Sequence, residues 1–438
     1  MIIKSKLKRN GFSINLWKDA MVEYPVNVWK ALDTKSKKTI IANLLYLKIS
    51  PYTMLWDKEF RFDSSQPYLK KMGDRAIMRD IPRIAEMDKR LPRVFTRNFN
   101  NKKIKFLSND AEKLKCKSSS ESALIGMSFG KDSLLSYGIA KEIRLKPKLV
   151  MVQDFWDVEA DHKFNLIHRF EKEFKTKVFC MSDYLDNISS IKRFNRTNSI
   201  GIICANAMNA YLTMLLPIAM YFKTRYLVFG NEQNFNDYYP KNGLKVYPSY
   251  DQSSEWMKEQ NSLLSKFTQN KFQISSFVEP IYNIAEIKVL FNRYPKIAKY
   301  QMSCSSVKTI KERWCYSCPM CAKAFLFLKS NGVDPKIVKF KHNFFNRKYE
   351  KLYPLFKAPS RIYEKPKAVR DEQLFAFYLA TKNKSEGYLI DKFKKRFMSE
   401  AVEREDELYK KFFRIYKAPS LPKRYKKEIR SILAEELR

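Results

Sequence analysis

The chain has 438 residues, enough for two or three domains around well-buried cores. With 45% hydrophobic and 14% aromatic residues it is not a disordered polymer. Lys and Arg number 84 against 46 Asp and Glu, and the resulting charge of +38 attracts polyanions, which points to a nucleotide or nucleic-acid partner; the excess is spread along the chain, as it also is where lysine-rich faces are merely solvated.

In chain order, residues 1–120 mix aromatic-rich amphipathic pieces (Lys38–Ile49, Arg75–Met87) with polar joints and form an N-terminal α+β region without a catalytic constellation. The N-terminus holds no apolar run of signal-peptide length, and the longest apolar run, Ala210–Phe222, is too short for a bilayer and contains Pro217. The expectation is a cytoplasmic protein with no membrane partner. The stretch 100–122 reads as a short strand and a linker that ends in a serine run.

From Ala123 strands alternate with helices. Ala123–Phe129 reads as a buried strand that breaks at Gly130 into a helical pattern beginning Asp132-Ser133-Leu134-Leu135. Next come the strand Lys148–Phe155, a helix over 161–175, the strand Lys177–Tyr184, a long apolar helix over 206–224 and the strand Arg225–Glu232. Such alternation predicts an α/β core (121–300) whose parallel sheet is covered on both faces, with ligands gathered at the carboxyl ends of its strands. Three polar termini fall there: the Gly130-Lys131-Asp132-Ser133 turn; Asp154 with Asp157; and Gly230-Asn231-Glu232, running on to Asn234, Asn236 and Asp237. A strand-turn-helix with a lysine in the turn suits phosphate, because helix N-terminal N–H groups and the ammonium converge on one anion. It equally suits a helix that Ser133 simply caps.

A helix, a short strand and a second helix follow over 260–300. The seven cysteines include a cluster, Cys315-x2-Cys318-x2-Cys321 with Cys304 upstream, and an odd total argues against a disulfide framework and for a reducing compartment. Four thiolates at these spacings fit a closed structural Zn2+ shell in a 301–340 element, with an iron–sulfur cluster as the competing occupant. The other three, Cys116, Cys180 and Cys204, read as packing residues. Residues 341–438 read as a basic helical region, and the short match between Lys357-Ala358-Pro359-Ser360 and Lys417-Ala418-Pro419-Ser420 is too small to define a repeat.

With the strand-Ser128-Phe129-Gly130-Lys131-Asp132-Ser133-helix unit and the cysteine cluster together, the chain resembles the PP-loop, or N-type ATP pyrophosphatase, superfamily, whose signature is Ser-Gly-Gly-x-Asp-Ser. Residues 120–335 are similar to 7-cyano-7-deazaguanine synthase and, in Ser303-Cys304 and Trp314-Cys315-x2-Cys318-Pro319-x-Cys321, to the UDP-N-acetylmuramoyl-L-alanyl-L-glutamate epimerases. The resemblance implies a doubly wound parallel sheet of the adenine-nucleotide alpha-hydrolase (HUP) type. It implies that Ser128, Gly130, Lys131, Asp132 and Ser133 grip the pyrophosphate of ATP, with Lys131, Asp132 and Ser133 catalytic and Asp132 helping to hold Mg2+. Asp154, Gly230, Asn231 and Glu232 would complete the nucleotide site, and Asp154, Asp157, Glu232 and Asp237 are candidates for a second metal contact or a base. Phe129 replaces the family's first glycine; the expectation is that it stays in the strand with its ring in the core.

The activity implied is adenylation of a small-molecule or peptide-bearing carboxylate, or an amide, with release of pyrophosphate. A PP-loop tRNA-modifying enzyme, with tRNA or another nucleic acid bound by the basic tail, is the alternative, and a non-catalytic nucleotide-binding module is the third. The sequence leaves a homo-oligomer open.

Overall fold

The computed structural model describes residues 1–16, 20–56, 58–116, 119–153, 158–185 and 200–438. Its organising element is an eight-stranded sheet formed by β1 (Ser5–Lys8), β2 (Gly11–Ile14), β3 (Met21–Glu23), β4 (Ser120–Gly126), β5 (Lys148–Gln153), β6 (Val178–Asp183), β7 (Thr224–Val228) and β8 (Gln273–Ser275), in the spatial order β8-β7-β4-β5-β6-β3-β2-β1. The β8-β7-β4-β5-β6 part is parallel throughout. The chain runs outward from β4 through β5 to β6, then returns to the other side of β4 for β7 and β8, so the order reverses between β4 and β7.

The five core strands are parallel as expected, but the sheet as a whole is mixed, because strands of the N-terminal region extend it. β3 pairs antiparallel with β6 (Val22 opposite Asp183), and β2 and β1 continue antiparallel from it. Antiparallel strands need only a tight turn, and Arg9-Asn10 is the whole connection between β1 and β2. The outer strand, Ser-Lys-Leu-Lys, is mostly exposed and lysine-bearing, a pattern that discourages edge pairing with other chains.

Alternation along β4 feeds two cores: Ala123, Ile125 and Met127 pack on one face with the helix Lys131–Glu142, while Leu124 packs on the other with the apolar helix Ala207–Phe222. The helix Thr34–Ile49, N-capped by Asp33 through Ser36 N–H at 2.7 Å, covers the second face, and the helices of the last hundred residues join the first. Both terminal regions thus complete the covering that a parallel core needs. The apolar helical stretch extends further than the sequence run suggests: Gly201–Phe222 is long and apolar enough to cross a membrane by composition, but 72% of its most apolar window is buried in the protein.

Candidate functional site

β4 ends at Gly126, three residues before the expected strand end, and the Met127 N–H still donates to the Val150 carbonyl at 2.7 Å. Phe129 therefore lies beyond the strand, in the left-handed region at φ +60°. This corrects its expected placement in the strand, although the ring does turn into the core: it is fully buried, edge-on to Phe170 at 5.6 Å, and the Phe129 carbonyl accepts from Met302 N–H at 2.8 Å. A non-glycine residue in this conformation costs about 1–2 kcal/mol, and burying a Phe side chain contributes about 1.5–3 kcal/mol, so the core contact offsets the strain. Gly130 is extended (φ −70°, ψ 163°) and needs no glycine conformation.

Gly130 is the N-cap of the helix Lys131–Glu142, and no side chain caps it. Ser133 does not supply the cap that the simpler reading assigned to it: its hydroxyl donates backward to the Gly130 carbonyl at 3.0 Å. The Ser128 hydroxyl accepts from Gly130 N–H at 3.3 Å. First-turn N–H groups have no partner within their own helix and carry the positive end of its dipole.

At this helix end Lys131 is buried among three carboxylates. Its ammonium lies 2.6 Å from Asp132 Oδ1 and 3.2 Å from Glu286 Oε2, and it also bonds Glu232 Oε2. Asp132 comes from the same helix, Glu232 from the loop after β7, and Glu286 from the helix Asn283–Arg293. Gly230 admits this arrangement: a Cβ there would stand 2.6 Å from Asp132 Cβ. Glu232 Oε1 is held by Asn283 Nδ2 at 2.7 Å. Burial opposes the Lys131 charge, but the three carboxylates keep its pKa well above that of a free lysine. Burial likewise opposes the Asp132 charge, yet the Lys131 ammonium holds this carboxyl below the usual range. Glu286 moves the other way, pushed well up by burial and by Asp132. A buried ionic cluster is a weak stabiliser and a frequent mark of function.

The cluster opens on a cleft of about 610 Å³ at the carboxyl ends of β4 and β7, where the strand order reverses. Open parallel sheets gather ligands at this kind of crevice. Ser128, Gly130, Lys131, Asp132, Gly230 and Glu232 all border it. Asn231 does not; it is buried, and its carbonyl accepts from the Ser276 hydroxyl at 2.7 Å. Asp154 and Asp157 lie outside the described residues. Asn234 borders the cleft and donates to Glu372 at 3.0 Å, while Asn236 secures Ser254 N–H at 2.8 Å. Asp237, which is not on the lining, accepts from the Tyr282 hydroxyl at 3.2 Å, and burial pushes it up to about 6.

Cys304, Cys315, Cys318 and Cys321 place their sulfurs within 4.8 Å of one another and could hold a metal ion such as zinc. Cys315–Cys321 and Cys318–Cys321 are 3.7 and 3.5 Å apart, close to the roughly 3.8 Å edge of a tetrahedron with Zn–S bonds of about 2.3 Å. The knuckle turns at Tyr316 (φ +56°), and Cys318 caps the helix Pro319–Ser330 by accepting from Cys321 N–H at 3.4 Å. Trp314 anchors the element, with its indole N–H on the Val338 carbonyl at 2.7 Å and its ring stacked on Phe340. Cys304 also borders the cleft, so the cysteine element forms part of its wall.

Sequence reasoning missed two acids. Glu286 sits in Asn283-Ile-Ala-Glu-Ile, where every residue is buried, and an acid inside so apolar a helix was the available signal. Glu372 lies in the basic C-terminal region, on the helix Lys367–Lys382, and accepts from Ile284 N–H at 3.1 Å; burial raises its pKa to about 7 against the pull of Lys323. Both fall in segments expected only to be helical, and their partners are remote in sequence. Compared with protein-family models and with curated proteins, the chain matches none, so the functional reading rests on the residues themselves.

Proposed function

We propose that the chain is an ATP-dependent adenylating enzyme of the PP-loop type, acting on a carboxylate or amide substrate. The observation that carries this reading is Lys131: an ammonium at an uncapped helix N-terminus, ringed by three carboxylates, at the edge of a cleft where the strand order reverses. The reversal is the order expected of a doubly wound sheet, which supports a HUP-type core extended by antiparallel strands.

ATP supplies the activation, transferring its AMP moiety to a substrate oxygen with release of pyrophosphate. The chain's contribution is positioning and charge. The Lys131 ammonium and the first-turn N–H groups of Lys131, Asp132 and Ser133 bind the phosphate anions. Asp132, whose side chain is 28% exposed, is the carboxylate best able to reach Mg2+, and the hard oxygen donors around it suit that ion. Phe129, with its ring in the core, leaves the mouth of the loop open. The C-terminal region contributes Leu352, Pro354 and Tyr363 to the cleft wall, where they limit access of water to the reacting groups. A closed four-thiolate shell has no open coordination position, so the cysteine element is structural. The protein is read as cytoplasmic.

The test is ATP–pyrophosphate exchange screened against carboxylate and tRNA substrates. Asp132→Ala is expected to abolish exchange while leaving the fold and the metal content intact. Exchange that survives this substitution overturns the assignment, and exchange that depends on tRNA alone moves it to the tRNA-modifying class.

A further inference from the structure

We infer that Asp132, Glu232 and Glu286 form a divalent-cation site that the Lys131 ammonium fills in the ligand-free protein, so that cation and lysine exclude one another and cation binding releases Lys131 toward the phosphates. The inference rests on the reading above and adds a ligand, Glu286, and an order of events.

One carboxylate oxygen from each residue lies within 4.8 Å of the other two. On an octahedral Mg2+ or Mn2+ with bonds of about 2.1 Å, neighbouring oxygens stand about 3 Å apart and opposite ones about 4.2 Å, so a contraction of no more than about 2 Å closes the set. Lys131 Nζ now bonds all three residues from within that space. One ammonium leaves at least one negative charge of the three carboxyls uncompensated. Glu286 is fully buried, and its Oε1 has no hydrogen-bond partner among the described residues. A buried carboxyl oxygen left unmatched in a cation-sized cluster is an open ligand position for a cation.

Lys131 cannot stay at the centre and also contact a phosphate in the cleft. A divalent cation that takes its place satisfies the acids with twice the charge and repels the ammonium. The side chain rotates toward the cleft, where phosphate oxygens replace its carboxylate partners. The loop is therefore a two-position device: lysine inward before the cation arrives, outward after it.

The experiment is calorimetric titration of the zinc-loaded full chain with MnCl2 alone, without nucleotide. Lys131→Met is expected to tighten Mn2+ binding at least tenfold, because it removes the competing charge, and Glu286→Gln to weaken it at least tenfold. Unchanged or weaker binding in Lys131→Met overturns the exclusion, and unchanged binding in Glu286→Gln overturns the site. If Lys131→Met does not fold without metal, Glu286→Gln decides the site, and the exclusion is decided by refolding Lys131→Met in MnCl2: recovery of the fold by the cation is expected, and a variant that MnCl2 does not restore overturns the exclusion. Because no nucleotide is present, the outcome separates from that of the activity: expected Mn2+ responses without pyrophosphate exchange remove the adenylation reading only, and exchange with unaltered Mn2+ responses removes this inference only.

Discussion

Substituting Gly230 by Ala tests the site's geometry most directly. The added methyl would stand 2.6 Å from Asp132 Cβ and 3.2 Å from its Cγ, inside the 3.4 Å at which contact becomes ordinary. Asp132 must move, and with it the Oδ1 that lies 2.6 Å from Lys131 Nζ. Forcing a methyl into a packed site costs about 1–3 kcal/mol, and displacing Asp132 disables the charge arrangement around Lys131. Denaturant unfolding is expected to show a lower midpoint for Gly230→Ala, and exchange to be lost, with zinc content unchanged. Combining it with Asp132→Gly removes the clash, so the two stability losses should fall short of additive by about 0.5–3 kcal/mol. Strict additivity, or a Gly230→Ala protein with unchanged midpoint and exchange, would refute the contact between the β7 loop and the helix N-terminus.

Phe129→Gly relieves about 1–2 kcal/mol of backbone strain, but truncating a buried Phe costs about 3–5 kcal/mol once the cavity it leaves is included, so unfolding measurements should show a net loss of about 1–4 kcal/mol with exchange retained; a stabilised variant would show that the ring contributes nothing to the core. Cys304→Ser is expected to lower bound zinc from about one ion per chain, measured by elemental analysis of anaerobically purified protein, and stoichiometric iron in the parent protein would replace zinc by a cluster. Because burial raises Glu372 to about 7, the folded state holds its proton longer than the unfolded chain, and stability should fall as pH rises from about 4.5 to about 7, by up to about 3 kcal/mol. Glu372→Gln should flatten that slope, and an unaltered pH profile of the unfolding midpoint would contradict the burial of an ionisable carboxyl there.

The two chemical landmarks were legible in the sequence because each is local. The Gly130–Ser133 turn joins one strand to the next helix, and three of the four cysteines fall within seven positions, so short-range spacing carries the geometry. The alternation of strand and helix from Ala123 likewise announced the parallel core, since its periods are intrinsic to the elements. What lay beyond the sequence was pairing at a distance. Glu286 meets Lys131 across 155 positions, and Glu372 meets Asn234 across 138; the apolar setting of Glu286 marks it as buried, but no local pattern names the partner of either acid. The antiparallel strands at Ser5–Glu23 join the sheet because β6 would otherwise leave an unpaired edge, a requirement that exists only once the sheet is assembled. Phe129 shows both sides: its identity departs from the glycine of the resembled loop, and tertiary packing of its ring against Phe170 is what lets an aromatic residue hold the left-handed conformation there. The sequence by itself determined which side chains could do chemistry. The tertiary structure decided which of them share one cleft, because charge neutralisation and burial act between residues that the chain order keeps apart.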